Sequence, residues 1–247
     1  MKLSVCCLTY NRPHLIGELI QSFELQTLPL SQRELIILDD SGQYDNLRGS
    51  NWQVVSFPRR FATLGEKRNA CISLASPDCK YIVIADDDDI YLPWWLECHA
   101  SIFEKGGDWS FASLAYVSCD NEIRGQWRYR DDNNLFHPAH AFSRTEFWNV
   151  GGYPHLAGWE DNQLFQKFLA RGMVHEDSLS NGQKPFLIYR RFSGERHMTG
   201  VSVADYQTKY EPVLPSSKIE IGWKRDYVKD IDDYEKALNL ANKNPNG

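Results

Sequence analysis

Residues 81–95 read YIVIADDDDIYLPWW. An apolar run of strand length ends on four adjoining aspartates, and apolar and aromatic residues resume at once. Neighbouring carboxylates about 5 Å apart repel by roughly 3 kcal/mol at an effective dielectric near 20. A chain that keeps four of them between two apolar segments must solvate them or neutralise them with opposite charge. Oxygen ligands crowded at the end of a strand suit a hard divalent cation, Mn2+ or Mg2+, which keeps positions open for phosphate oxygens. The bland reading is a solvated turn, and the apolar flanks on both sides argue against it.

Working outward from that corner, strand and helix signals alternate on its N-terminal side. LSVCCL (3–8) reads as a strand, and TYNRPH as a turn with Asn11 as N-cap and Pro13 in the first helical turn. Leu15, Ile16, Leu19, Ile20 and Phe23 follow at helical spacing. ELIILDD (34–40) and WQVVSF (52–57) are further strands, with a helix predicted over LGEKRNACISLA (64–75). This alternation predicts an α/β fold, a mostly parallel central sheet flanked by helices on both faces. In such sheets ligands sit beyond the carboxyl ends of the strands, and TYNR, DDSG and DDDD all lie there.

The C-terminal side is less regular. PWWLECHASIF (93–103) reads as a helix, WSFASLAYVS (109–118) as one strand, and EIRGQWRYR (122–130) as the partner of a hairpin. AHAFSRTEFWNVGGYP suggests a strand, a short helix and a glycine turn. Leu164, Phe165, Phe168 and Leu169 carry a helix from Glu160, and PFLIYRR (185–191) is a last strand. Ile231, Tyr234, Leu238 and Ala241 mark an amphipathic terminal helix.

Composition narrows the function classes. The 247 residues are 42% hydrophobic, 24% charged and 13% aromatic, which is globular usage. A net charge of −6 gives no footprint for nucleic acid or an anionic membrane. The opening MKLSVCCLTYNRP is too short for the apolar core of a secretory signal, and no run approaches the roughly 18 apolar residues of a membrane span. Six cysteines without CxxC spacing or a Cys/His cluster read as reduced structural thiols. These features together predict a soluble, cytoplasmic protein.

Five pieces in order resemble a family 2 glycosyltransferase of the GT-A fold: LTYNRP, ILDDSG, GEKRNACISLA, YIVIADDDDIYLP and GGYPHLAGWEDNQLFQKFLARG. The resemblance covers about residues 3–200. It implies one domain over 1–202, with a nucleotide-binding half (1–100) and an acceptor-binding half (101–202), and a tail over 203–247. Asp86, Asp87 and Asp88 stand at the family's D-x-D motif. The resemblance makes Asp88 the principal ligand of Mn2+ or Mg2+ and sets Asp86 or Asp87 near the ribose. Asp89 falls outside that pattern, as a second ligand or, preferably, a helix-capping carboxylate ahead of Pro93. Asp40, with Asp39 behind it, is implied to accept the ring N–H of the donor base, although either carboxylate would also cap the following turn. Thr9, Asn11 and Arg12 would border the nucleotide. Lys67 and Arg68 would reach the base or diphosphate, unless they merely occupy a solvated helix face.

Inverting transfer also needs a carboxylate to take the acceptor hydroxyl's proton. The resemblance assigns this to Asp161, next to Glu160 at a helix start where the dipole favours charge; both would otherwise be ordinary N-terminal helix charge. Trp159 would present an aromatic face to an acceptor sugar. His197 is the implied further metal ligand, with Arg190, Arg191 and Arg196 suited to a departing diphosphate. His137 and His140 are expected to be structural.

The donor expected from the resemblance is a nucleotide sugar, UDP-sugar first. The acceptor is a glycan, a lipid-linked sugar or a small molecule, and the acidic balance argues against nucleic acid. Peripheral membrane contact through GWKRDYVKDI is offset by its own aspartates. A nucleotidyltransferase would also use acidic ligands on an α/β sheet, but its glycine-rich phosphate loop is absent from LTYNRPH. A non-catalytic carbohydrate binder could use the eight tryptophans, yet it has no need of carboxylates at several strand ends.

Overall fold

The computed structural model describes residues 1–45, 47–119, 122–128, 137–180, 182–191 and 218–243. Its centre is a seven-stranded sheet. From the N-terminus come β1 (Leu3–Thr9), helix α1 (Ile16–Glu24), β2 (Arg33–Asp39), β3 (Trp52–Ser56), α2 (Leu64–Ser73) and β4 (Tyr81–Asp86). Strands β3, β2, β1 and β4 lie side by side and parallel. Their apolar runs are continuous because both faces are covered. Leu3, Val5 and Cys7 of β1 pack with Ile16, Leu19, Ile20 and Phe23 of α1. Cys6, pointing the other way, packs with Cys71 and Ile72 of α2.

The chain then makes a two-residue strand β5 (Ile90–Tyr91), helix α3 (Trp95–Glu104), β6 (Trp109–Phe111), β7 (Leu114–Cys119) and β8 (Glu122–Arg128). After these come β9 (Ala141–Ser143), α4 (Arg144–Asn149), α5 (Glu160–Arg171), β10 (His175–Asp177), β11 (Leu187–Arg191) and α6 (Tyr227–Lys243). Strand β9 pairs antiparallel to both β4 and β6, and β10 extends the sheet beside β6. A second sheet of four strands runs β5-β11-β7-β8.

The fold departs from the sequence expectation at two places here. The stretch 109–118 is two strands in different sheets: Ser113 donates its backbone N–H to Asp177 at 3.3 Å, and its hydroxyl bonds the same carboxylate. Asn11 is not an N-cap. It takes a left-handed φ of 53°, and α1 starts later, after Leu15, with no side-chain cap. Helix α2 does carry a cap, Thr63 accepting the Glu66 N–H at 3.1 Å.

Residues 218–243 pack onto the domain. Tyr227 and Ile231 share a buried cluster with Ile90, Leu92, Tyr116 and Ile188. A Cβ on Gly17 would lie 1.9 Å from the Glu220 carbonyl oxygen, so glycine there lets this returning segment lie against α1. Among the described residues no helix is long and apolar enough to cross a membrane. None of the six cysteines is in a disulfide among the described residues, and all but Cys119 are buried.

Candidate active site

Parallel pairing sets the polar strand ends at one height. Thr9 is in register with Asp39, Leu8 with Asp86, and Asp39 with Ser56. The three clusters TYNR, DDSG and DDDD therefore meet at one edge, and a chain of short contacts joins them. Lys67, on α2, donates from Nζ to the Thr9 carbonyl at 2.6 Å and to Asp40 Oδ1 at 2.5 Å. Thr9 donates its hydroxyl to Asp87 Oδ2 at 2.7 Å. Arg12 reaches Asp87 Oδ1 at 2.9 Å and Asp88 Oδ2 at 3.0 Å through one guanidinium nitrogen.

Asp39 and Asp40 are both fully buried, and their surroundings separate them. Asp39 accepts from the Ser41 N–H and hydroxyl, the Gln43 N–H and the Ser56 hydroxyl, at 2.6–3.2 Å. That is the turn-capping role. Asp40 instead holds cations: Lys67 on one oxygen, and Arg60 at 3.5 Å on the other, with the Phe61 N–H at 3.2 Å. Arg60 lies over the Tyr10 ring, 3.6 Å from its centroid. Tyr10 and Arg60 were not singled out in the sequence. The signal was positional: the loop after β3 leaves the same carboxyl edge. Lys67 is not on a solvated face; burial lowers its pKa, and Asp40 opposes that.

The four aspartates are turned inward. Asp87, Asp88 and Asp89 are buried, and Asp86 is half-buried. Oxygens of Asp86, Asp88 and Asp89 lie within 4.8 Å of one another. Burial, then repulsion from Asp88, lifts Asp87 above the usual carboxylate range. Asp86 is pushed up to about 7 by burial against the pull of Arg68, with Asp88 adding to the rise. Asp89 is likewise held well above the usual carboxylate range, by burial first and then by the charges of Asp88 and Asp86.

Asp89 does not cap a helix, since α3 begins after Trp94 with no side-chain cap. Its Oδ1 accepts the Arg190 backbone N–H at 3.0 Å, and its Oδ2 is buried with no hydrogen-bond partner among the described residues. Arg190 is correspondingly not open to a diphosphate. It is 3% exposed and turned beneath the aspartates, bonding the Asp88 carbonyl and Glu18.

Helix α5 faces this corner across Arg68. Its guanidinium bonds Glu160 Oε1 at 2.9 Å, and its raised pKa reflects attraction to Glu160 first and also to Asp86 and Asp161. Asp161 is half-buried, with Oδ1 accepting the Asn162 N–H at 2.8 Å. Trp159 precedes them in a left-handed conformation, φ 64°, and is 75% exposed. A non-glycine residue held there is strained backbone of the kind that collects at functional sites. His197 and Arg196 lie outside the described residues. His137 and His140 are buried in the aromatic layer, bonded to the Tyr153 hydroxyl at 2.9 Å and the Trp109 N–H at 2.7 Å.

Comparison with known proteins places the chain in a family and its fold among solved structures. The sequence pattern described as Glycosyl transferase family 2 matches residues 4–169. YwdF of Bacillus subtilis (strain 168), an uncharacterized glycosyltransferase, is 28% identical over 183 residues, 71% of this chain and 58% of that protein. The UDP-Gal:alpha-D-GlcNAc-diphosphoundecaprenol beta-1,3-galactosyltransferase of Escherichia coli is 27% identical over 220 residues, 78% of this chain and 75% of the relative. Among solved structures, S. aureus TarS 1-349 in complex with UDP-GlcNAc superposes with a TM-score of 0.65 at 20% identity, covering 82% of this chain and 62% of TarS 1-349. The mannosyltransferase PcManGT from Pyrobaculum calidifontis, in complex with GDP-Man and Mn2+, gives 0.55 at 14% identity, over 77% of this chain and 56% of PcManGT.

Proposed function

The chain belongs to glycosyl transferase family 2, and we propose that it is an inverting enzyme moving a sugar from a UDP-sugar to an acceptor hydroxyl. The observation that carries the reading is the corner of Asp86, Asp88 and Asp89. Carboxylate oxygens of the three, two of the residues buried and Asp86 half-buried, lie within 4.8 Å of one another, and Asp89 Oδ2 is buried with no hydrogen-bond partner among the described residues. An all-oxygen donor set of this kind fits Mn2+ or Mg2+, and such an ion would neutralise the donor's diphosphate. The uridine donor is supported by two relatives, one named for UDP-Gal and one bound to UDP-GlcNAc.

Within this reading Thr9, Asn11 and Arg12 border the nucleotide, and Asp40 with Asp39 forms the base side, fronted by Arg60 and Tyr10. Asp86 and Asp87 lie towards the ribose. Arg68 sits between the donor and acceptor carboxylates. Asp161 takes the proton of the acceptor hydroxyl as its oxygen bonds the anomeric carbon. The bond from that carbon to the diphosphate oxygen breaks, and the nucleoside diphosphate leaves. Trp159 offers its exposed face to the acceptor sugar, with Glu160 holding Arg68 in place. A lipid-linked sugar is the first acceptor to try, after the Escherichia coli relative, and the free thiols suit a cytoplasmic reaction.

The test is release of nucleoside diphosphate from a panel of nucleotide sugars, with and without Mn2+. Release is expected only with the metal. Asp88→Ala abolishes it, and Asp161→Asn lowers kcat by about 100-fold or more, the usual worth of a general base. Full activity of Asp161→Asn would remove that residue from the chemistry, and metal-independent release would remove the cation.

A further inference from the structure

The buried polar groups behind the aspartates form a connected structure that the reaction does not use directly. Glu18 is an acid inside helix α1, 2% exposed. Its Oε2 accepts from Arg190 Nη1 at 2.6 Å. Its Oε1 accepts the Tyr227 hydroxyl at 2.8 Å and the Lys224 backbone N–H at 3.2 Å, both from the C-terminal segment. Arg190 in turn bonds the Asp88 carbonyl oxygen through Nε, and its own backbone N–H bonds Asp89 Oδ1. Attraction to Arg190 holds Glu18 ionised despite burial, and attraction to Glu18 does the same for Arg190.

A buried ion pair is weak support for stability, because desolvation offsets its attraction and an apolar pair of similar volume would serve as well. Here both members have bonds left over, and each spends them in a different direction. Arg190 grips the backbone and the carboxylate of two consecutive aspartates. Glu18 grips the first turn of α6 and the segment before it.

We propose that Glu18, Arg190 and Tyr227 are positioning residues through which the C-terminal helix sets the geometry of Asp88 and Asp89 towards a divalent cation. The inference rests on the metal reading above and deepens it. Asp88 and Asp89 belong to a four-aspartate run whose mutual repulsion pushes its members apart. Arg190 opposes this from below, its guanidinium on the Asp88 carbonyl and its backbone N–H on Asp89 Oδ1, and Glu18, oriented by Tyr227 and the Lys224 N–H, holds that guanidinium in place. The C-terminal segment is then part of the metal site's support, although none of its described residues stands among the aspartates.

The experiment is Mn2+ binding by the full chain in the presence of UDP, read from the electron paramagnetic resonance of free Mn2+ at constant pH. Tyr227→Phe keeps the ring and removes the hydroxyl. It is expected to weaken Mn2+ about 10-fold, the low end for groups that orient metal ligands. Glu18→Gln is expected to weaken it further, and kcat at saturating Mn2+ to stay near the parent value in both. Tyr116→Phe is the matched control. Its hydroxyl ties β7 to Glu235 on the same helix without touching Glu18, so it loosens α6 and leaves Mn2+ affinity unchanged. Parent-like Mn2+ binding in Tyr227→Phe and Glu18→Gln overturns the proposal while leaving the metal reading intact. So does an equal loss in Tyr116→Phe, which would make helix docking in general the cause. Absence of Mn2+ binding by the parent overturns the metal reading and this inference with it.

Discussion

At the carboxyl ends of β1, β2 and β4 buried and half-buried ionisable groups are paired: Lys67 on Asp40, Arg12 on Asp87 and Asp88, Arg68 on Glu160. Around β6 and β9 the buried groups are histidines held neutral. His99 bonds Ser110 at 2.8 Å, His140 accepts the Trp109 N–H, and His137 meets Tyr153. Burial lowers all three pKa values, that of His99 to about 3. Both regions face the same cost of removing charge from water. A histidine escapes it by giving up a proton, and stacking serves the neutral ring well, as with His140 on Phe165 at 4.1 Å. The aspartate run has too few cations for its charge, because Arg68 is shared with Glu160 and Arg190 with Glu18. The remaining deficit is what a bound cation would fill. A region built only for packing has no reason to carry it.

The sharpest way to break this comparison is to unpair a charge on the acidic side. Lys67→Met leaves Asp40 buried with Arg60 more distant at 3.5 Å. Loss of one partner of a buried pair costs about 3–5 kcal/mol, to be read by urea denaturation. Adding Asp40→Asn should return a large part of that loss. If Lys67→Met alone is as stable as the parent, the buried pairs at this edge are not what compensates its charge.

The histidine side breaks through pH. Between the ordinary histidine value of 6.5 and their lowered folded values, the unfolded chain binds protons that the folded chain does not. Stability therefore falls as pH drops below 6.5, by up to about 1.4 kcal/mol per pH unit for each histidine. Asp86 has the opposite sign: its raised value, about 7, makes the folded state the better proton binder and favours it at lower pH. The informative quantity is thus a difference. His140→Gln keeps an acceptor for Trp109 and should flatten the loss between pH 6.5 and 5.5 by one histidine's share. Parallel pH profiles for parent and variant would show that His140 titrates freely when folded.

The two regions were not equally legible in the sequence. Parallel strands covered on both faces read as unbroken apolar runs, so β1, β2 and β4 and the polar clusters at their ends stood out. Helix α5 announced itself by period, through Leu164, Phe165 and Phe168. The break between β6 and β7 has no glycine or proline to mark it. It is set by Asp177, 64 positions away, binding Ser113. Strands β5 and β10 are too short to carry a period. In the site, the aspartates could be read as a concentration of charge, but not the way each is spent. Asp89 bonds Arg190, 101 positions away, and Glu18 looks in sequence like an ordinary polar position of an amphipathic helix. Local pattern records burial; long-range pairing of buried polar groups leaves no local trace.

The last of these tests probes the seam where the two regions meet. The loop that leads into α5 is clipped to α2. Gly65 N–H donates to the Leu156 carbonyl at 3.0 Å, and Asn69 exchanges two 2.9 Å bonds with the backbone of Tyr153. A Cβ on Gly65 would stand 1.8 Å from the Pro154 carbonyl oxygen, so Gly65→Ala must push the loop off the helix that carries Lys67 and Arg68. Forced overpacking of this size costs about 1–3 kcal/mol, less than an unpaired charge. The consequence for transfer should exceed the consequence for folding. In the proposed reaction Asp161, which follows that loop, works opposite the aspartates, whereas the nucleotide edge is built from the ends of β1, β2 and β4 with Lys67, whose Nζ is held by the Thr9 carbonyl and Asp40 and not by the loop. Gly65→Ala is therefore expected to bind UDP like the parent and to release it from a UDP-sugar more slowly. An equal loss in both measurements would mean that the loop supports the whole edge, and that the division between a charged donor side and a packed acceptor side is drawn in the wrong place.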